Sequence, residues 1–231
     1  MKKFRVLYFG TWGYGAAGLK GLLKCSNVEI VKVYTKWNLE IENEYMNQVF
    51  KLTTKFNLDV FNSARELCSY RQFENDVLKN TDIDFVISCC FDRIFKKNIL
   101  ELPKILALNI HPSILPKYRG VKPLENAIVK NEKKTGITFH QLVEKLDAGD
   151  ILLQDNSIEI KDDDTYGELY EKQCNQIELN IIKFFKDPFR YIQNKLPQDD
   201  SIVSFAPRIN MKFNDKDKVW YLKKKFQEIY G

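Results

Sequence analysis

Hydrophobic and polar positions follow two rhythms along this chain. Short apolar runs fall at 4–9, 28–34, 84–88 and 105–110, each closed off by polar or small residues. A brief continuous apolar run between turn residues predicts a strand covered on both faces. Between these runs lie segments with helical spacing at 16–24, 44–55, 64–79 and 124–131. A longer one spans 165–185, with Leu169, Ile177, Ile181 and Phe184 along one face until Asp187-Pro188 stops it. Two further strands are expected at 135–143 and 151–160. Strands alternating with helices demand crossover connections, and crossovers imply parallel pairing. The expected fold is therefore α/β: a Rossmann-like open, mostly parallel sheet flanked by helices. After Pro197 the pattern turns polar and loop-like, with a short strand expected at 202–205 and a terminal helix at 218–229. A main domain over 1–188 and a C-terminal extension over 189–231 follow from that change.

Composition narrows the function classes. The 231 residues suffice for one large domain, alone or with a small appendage. Thirty-six Lys and Arg against 31 Asp and Glu leave a net charge of +5, with the two signs interleaved. No basic block marks a nucleic-acid surface, and the weak excess suits a small anionic substrate. No apolar run of about 18 residues occurs, so no membrane span is expected. Met1-Lys2-Lys3 lacks the apolar segment a signal peptide needs, and a cytoplasmic location is expected. Five cysteines, an odd number at scattered spacings with no C-x-x-C, read as reduced, buried thiols.

Gly13-Tyr-Gly15-Ala-Ala-Gly18 has the spelling of a dinucleotide-binding loop between a strand and a helix. That loop needs an acidic residue about 20 positions on, at the end of the next strand. The strand here ends Val33-Tyr34-Thr35-Lys36, with no acid. A tight, flexible loop over 10–15 that lets a ligand approach the backbone is the alternative reading.

Only two histidines occur, His111 and His140. Histidine is the side chain best matched to proton transfer near neutral pH. Asn109 and His111 sit two apart at the end of an expected strand, hence on one face. In an open α/β sheet the carboxyl ends of the strands line the ligand crevice. Asp147 follows a later strand in a turn-like Leu-Asp-Ala-Gly-Asp segment.

Three stretches together carry a resemblance. Asn109-Ile-His-Pro-Ser-Ile-Leu-Pro-Lys-Tyr-Arg-Gly120, Thr135-Gly-Ile-Thr-Phe-His140 and Leu146-Asp-Ala-Gly-Asp150 closely resemble the catalytic core of the N10-formyltetrahydrofolate-dependent formyltransferases. The resemblance covers about residues 1–185. It implies that Asn109, His111 and Asp147 form the catalytic site, with N10-formyltetrahydrofolate as formyl donor and no metal. In such chemistry an amine attacks the formyl carbon and negative charge develops on its oxygen. Asn109 donates to that oxygen. His111 takes a proton from the amine or, as imidazolium, stabilises the oxygen; the sequence leaves both open. Asp147 orients His111. His140 is either a neighbour of the pterin pocket or a packed sheet residue. The segment 88–95 aligns with the family loop that grips the pterin, which carries over Phe91, Arg93, Ile94 and Phe95, together with Leu142 and Val143.

The acceptor is read from the rest of the chain. Trp12, Gly13 and Tyr14 follow the first strand, with two rings suited equally to stacking on a sugar or base and to ordinary loop packing. Tyr118, Arg119 and Gly120 end the first stretch in a form shared by the sugar and tRNA branches of the family. Lys117, Lys122 and Arg208 are further cations, either for a phosphate-bearing substrate or, at Lys117 and Lys122 above all, as solvated surface charges. Arg119, inside the signature, is expected to orient the site rather than to touch phosphate. The length resembles the compact nucleotide-sugar N-formyltransferases, whose C-terminal segment carries a dimerising β-hairpin, here expected over 202–220. The resulting expectation is a homodimeric enzyme that formylates a dTDP-linked dideoxy-amino sugar for O-antigen or lipopolysaccharide synthesis. It binds folate, without nucleic-acid or membrane partners. Glycinamide ribonucleotide transformylation and an NADP-binding or non-catalytic Rossmann-like module are the alternatives.

Overall fold

β1 (Phe4–Gly10) is buried from Val6 onward, and its side chains alternate between two apolar layers. Val6 and Tyr8 enter one layer, Leu7 and Phe9 the other. The same alternation recurs in β4 (Phe85–Cys89), where Phe85 and Ile87 oppose Val86. A strand buried on both faces needs helices above and below. The computed structural model, which describes residues 2–40 and 47–230, supplies them. α1 (Trp12–Leu23) and α6 (Tyr166–Lys186) cover one face, packing Leu19, Leu22, Ile177, Ile181 and Phe184. α3 (Tyr70–Leu78) and α4 (Lys97–Leu100) cover the other with Phe73, Val77 and Ile99. Each such side chain removed from water contributes about 1.5–3 kcal/mol.

The remaining elements are β2 (Val28–Thr35), α2 (Gln48–Lys55), β3 (Val60–Asn62), β5 (Leu106–His111), β6 (Arg119–Gly120), α5 (Pro123–Val129), β7 (Lys134–Gln141), β8 (Ile151–Glu159), α7 (Pro188–Gln193), β9 (Phe205–Ala206) and α8 (Val219–Tyr230). The seven-stranded sheet runs β3-β2-β1-β4-β5-β7-β8. Its first five strands are parallel, and β7 and β8 complete it as an antiparallel pair. The expected Rossmann-like, mostly parallel architecture is the observed one.

Three local expectations change. The loop expected at 10–15 is helical from Trp12, so the three spaced glycines lie inside α1. A Cβ on Gly18 would strike the Tyr8 hydroxyl, so that glycine lets the helix press onto β1 rather than cradle a phosphate. The helix expected over 64–79 begins only at Tyr70, because Ser69 and Gln72 form a capping box there. Of the helix expected over 44–55, positions 44–46 lie outside the described residues. Finally, no hairpin forms over 202–220, which removes the strand pair on which the expected homodimer rested. Instead β9 pairs in parallel with β6, far back in the chain.

The extension packs against the main domain. Leu196 exchanges both backbone hydrogen bonds with Ile151, at 2.7 and 2.9 Å. Ala206, Val219 and Leu222 join Tyr118, Leu124 and Ile128 in a third apolar cluster. All five cysteines are free, but Cys90 is exposed and Cys174 half-buried, contrary to the expectation of uniformly buried thiols. Among the described residues no helix is long and apolar enough to cross a membrane.

Candidate active site

β5 ends in Asn109 and His111, on the face opposite Leu108 and Ile110. Antiparallel pairing sets Asn109 directly across from His140 of β7. Asp147 arrives from the loop between β7 and β8, its backbone in the left-handed region at φ 47°. These four side chains meet. Asn109 donates one amide hydrogen to His140 Nε2 at 3.0 Å and the other to Asp147 Oδ1 at 3.3 Å. Asp147 Oδ2 lies 3.7 Å from His111 Nδ1 and accepts the Gly120 N–H at 2.9 Å.

The backbone fixes both tautomers. His111 Nε2 faces the Tyr118 carbonyl at 2.8 Å, and a carbonyl only accepts, so the proton is on Nε2. The basic nitrogen of His111 is therefore Nδ1, the one facing Asp147. By the same logic His140 donates from Nδ1 to the Gln141 carbonyl at 2.9 Å and accepts Asn109 at Nε2. Burial pushes the His111 pKa below the ordinary histidine value; the facing Asp147 carboxylate works against that without reversing it. Burial would raise the Asp147 pKa, but His111, His140 and the Gly120 N–H outweigh it and hold the carboxyl well below the usual range. The site at neutral pH is thus a neutral imidazole facing a carboxylate.

Tyr118, Arg119 and Gly120 wrap this pair in three successive steps. The carbonyl of Tyr118 takes His111, and its N–H goes to Ser204 Oγ at 3.0 Å. The guanidinium of Arg119 is 1% exposed and closes on Gln198 and Asp200. Gly120, at φ +120°, aims its N–H at Asp147 in a conformation that a side chain would strain. Tyr118 itself stands at φ 63°, which is rare for a residue of its bulk.

The structure redistributes the other candidates. Tyr14 is buried with its hydroxyl on Gln173, so it does not present a ring to a sugar. Gly13 lies buried in α1 against the Tyr170 ring. Trp12 is half-buried at φ 60°, its ring 5.5 Å from the Lys36 ammonium. Arg119 has no open face for a phosphate. Lys117 and Lys122 are already paired, with Glu132 at 3.1 Å and Glu125 at 2.8 Å. Arg208 is exposed.

Arg93 is buried and spends its guanidinium on the Ser63 and Cys68 carbonyls over the Phe73 ring, so its side chain does not meet a pterin. Phe91, Phe95 and Leu142 do come together, in the apolar cluster beneath the loop. Ile94 and Val143 are exposed. Sequence reasoning left His140 undecided, and the cross-strand register with Asn109 decides its position. It missed Gln198 entirely. Among the described residues no group of three or more His, Cys, Asp or Glu is placed to hold a metal ion.

A formyl transferase family profile matches residues 2–182. The chain belongs to the formyltransferase family. Methionyl-tRNA formyltransferase of Protochlamydia amoebophila is 32% identical over 213 residues, 91% of this chain and 65% of that protein. The chain thus spans just under two thirds of the length of the curated relatives it matches. Among solved structures, an N-formyltransferase from Helicobacter canadensis, in complex with folinic acid and dTDP-3-aminofucose, superposes with a TM-score of 0.67 at 23% identity. That match covers 97% of this chain and 79% of the other. Phosphoribosylglycinamide formyltransferase from Bacillus halodurans gives 0.65 at 24% identity, over 79% and 94%. At these identities the two structures speak for the fold.

Proposed function

We propose that Asn109, His111 and Asp147 catalyse formyl transfer from N10-formyltetrahydrofolate to the amine of a dTDP-linked dideoxy-amino sugar of the 4-amino-4,6-dideoxyglucose type, a step in surface-glycan synthesis. The observation that carries the reaction class is the neutral, buried His111 with Nδ1 turned to an ionised Asp147. A base of lowered pKa is unprotonated at working pH, and the facing carboxylate stabilises the proton it gains. Asn109 holds His140 and Asp147 with its two amide hydrogens, so donating to a developing oxyanion requires it to release one. The donor supplies the formyl carbon. The loop 91–95 suits its pterin: among the described residues no backbone N–H there is paired, and Phe91, Phe95 and Leu142 form the apolar floor.

The sugar acceptor is supported by the extension. The Helicobacter canadensis fold follows it, whereas the phosphoribosylglycinamide enzyme matches only 79% of the chain. Methionyl-tRNA is the second reading, favoured by 32% identity to that enzyme. The dinucleotide reading has lost its loop to α1. A formyl-transfer assay offering dTDP-4-amino-4,6-dideoxyglucose, glycinamide ribonucleotide and methionyl-tRNA side by side tests the proposal. The sugar nucleotide is expected to give the highest kcat/KM, and Asn109→Ala to abolish the transfer. Preference for methionyl-tRNA would replace the acceptor, and no transfer to any amine would overturn the reaction.

A further inference from the structure

An arginine as buried as Arg119 needs partners fixed in advance. Its Nε and Nη2 both point at Gln198 Oε1, at 3.1 and 2.7 Å, and Nη2 also reaches Asp200 at 3.3 Å. A guanidinium has only donors, so the Gln198 oxygen must face it and the Gln198 amino group must face away. On that far side both amide hydrogens are donated, to the Asp147 and Gly149 carbonyls, each at 2.8 Å. Flipping the amide would set donors against the guanidinium and an oxygen against two carbonyls. The oxygen accepts twice and the nitrogen donates twice, which leaves no hydrogen for a substrate.

The segment around Gln198 is tied to the same loop. Lys195 reaches Gln141 Oε1 and the Asp150 carboxylate, both at 2.9 Å, and Leu196 is bonded to Ile151. Asp147 in turn needs holding. It stands in the left-handed region, and a strained residue persists where its surroundings over-determine it. Gly120 clamps its carboxylate and Gln198 its backbone.

We infer that Gln198 is a positioning residue of the active site, fixing the 147–149 backbone and so the Asp147 carboxylate against His111, and that Arg119 sets its orientation. The segment after 188 is then part of the catalytic machinery, although the family match ends at residue 182. The kinetic arm of the test rests on the formyl-transfer reading; the titration arm does not.

The titratable groups facing His111 are Asp147 from the β7–β8 loop and His140 from β7. With two histidines in the chain, imidazole resonances can be assigned with His140→Gln and followed against pH. Gln198→Glu keeps the Arg119 pairing and the volume but turns two donors into acceptors against the carbonyls. Its own negative charge would raise the His111 pKa. Displacement of Asp147 lowers it, so a fall of about 0.5 unit or more is the expected result. The kcat is expected to drop on the order of 10²-fold, with both KM values within about threefold and melting unchanged. Should the first variant not fold, Gln198→Leu, which adds no charge, carries the same expectation for the His111 titration and for kcat, with a lowered melting temperature because Arg119 loses an acceptor. An unmoved His111 titration in a folded variant overturns the inference, and so does a loss confined to the acceptor KM. Should the wild type transfer formyl to no acceptor, the reaction reading fails and the titration still decides Gln198.

Discussion

Two segments of this chain leave the sheet in similar ways and do opposite things. After β1 the chain turns through Trp12 at φ 60°, and beyond β5 it turns through Tyr118 at φ 63°. The first segment has the spelling of a nucleotide-binding loop, yet its polar groups go into packing α1 against β1 and α6. Tyr8 bonds the Gly15 carbonyl at 2.6 Å, Tyr14 bonds Gln173, and Gly18 lets α1 lie on β1. The second has no such spelling, yet its polar groups collect partners from four distant places: Asp147, Gln198, Ser204 and Glu132. Strain whose supports converge on a titratable pair points to a site, and strain whose supports only seat a helix on the core points to the fold. The comparison separates variants that lose turnover from variants that lose stability.

The largest effect belongs to the second segment. His111→Asn and Asp147→Asn are each expected to lower kcat by about 10²–10⁴-fold while thermal melting barely moves. Steady-state kinetics beside a melting curve check this, and near-normal turnover in either variant sinks the assignment. The sign of the pH dependence follows from the lowered His111 pKa. The active form is the neutral ring, so kcat/KM falls as pH falls through that pKa. Burial places the midpoint of the acidic limb below the ordinary histidine value of about 6.5. A limb centred above that value would mean that the ring works as imidazolium.

The same contrast explains what the sequence could disclose. The sheet was legible because buried strands must be apolar throughout: 84–88 and 105–110 became β4 and β5 with bounds shifted by a residue. That Asn109, His111 and Asp147 belong together was legible because three stretches of the sequence resemble one family's core, and the structure does bring the three side chains together. The start of α1 was not, because glycines that fit a helix against a strand are spelled like glycines that fit a loop around a phosphate. Neighbours from other elements, Tyr170 at Gly13, Val49 at Gly15 and Tyr8 at Gly18, tell them apart. The 202–220 hairpin failed for a similar reason, since the partner of Phe205 is Arg119, 86 residues upstream. Nothing near Gln198 announces that Arg119 and the 147–149 backbone will close on it.

An intermediate effect belongs to the first segment. Gly18→Ala forces a methyl group into the Tyr8 hydroxyl, an overpacking that costs about 1–3 kcal/mol. In a chain of this size each kcal/mol lowers Tm by about 2–4 °C. Turnover per folded molecule is expected to stay within twofold of wild type. A variant that melts normally but loses affinity for a nucleotide-linked acceptor would return these glycines to substrate binding.

The smallest effect is the most discriminating. Tyr14→Phe removes one hydroxyl and keeps the ring. If the ring stacked on a sugar or base, the variant would bind as the wild type does, and the larger truncation Tyr14→Leu would raise the acceptor KM. The structure says otherwise: Tyr14 is 7% exposed, its ring packs tilted by 31° against Tyr170 with centroids 4.1 Å apart, and its hydroxyl meets Gln173. Gln173 also donates to the Pro112 carbonyl at 3.0 Å, one residue beyond His111. Losing the hydroxyl therefore costs about 1 kcal/mol of stability. Gln173 still holds Pro112 through its amino group, so kcat is expected to change less than threefold. Denaturant unfolding and acceptor saturation curves for both variants are the measurement. A rise in acceptor KM for Tyr14→Leu beyond its stability loss would place this ring in the substrate site after all.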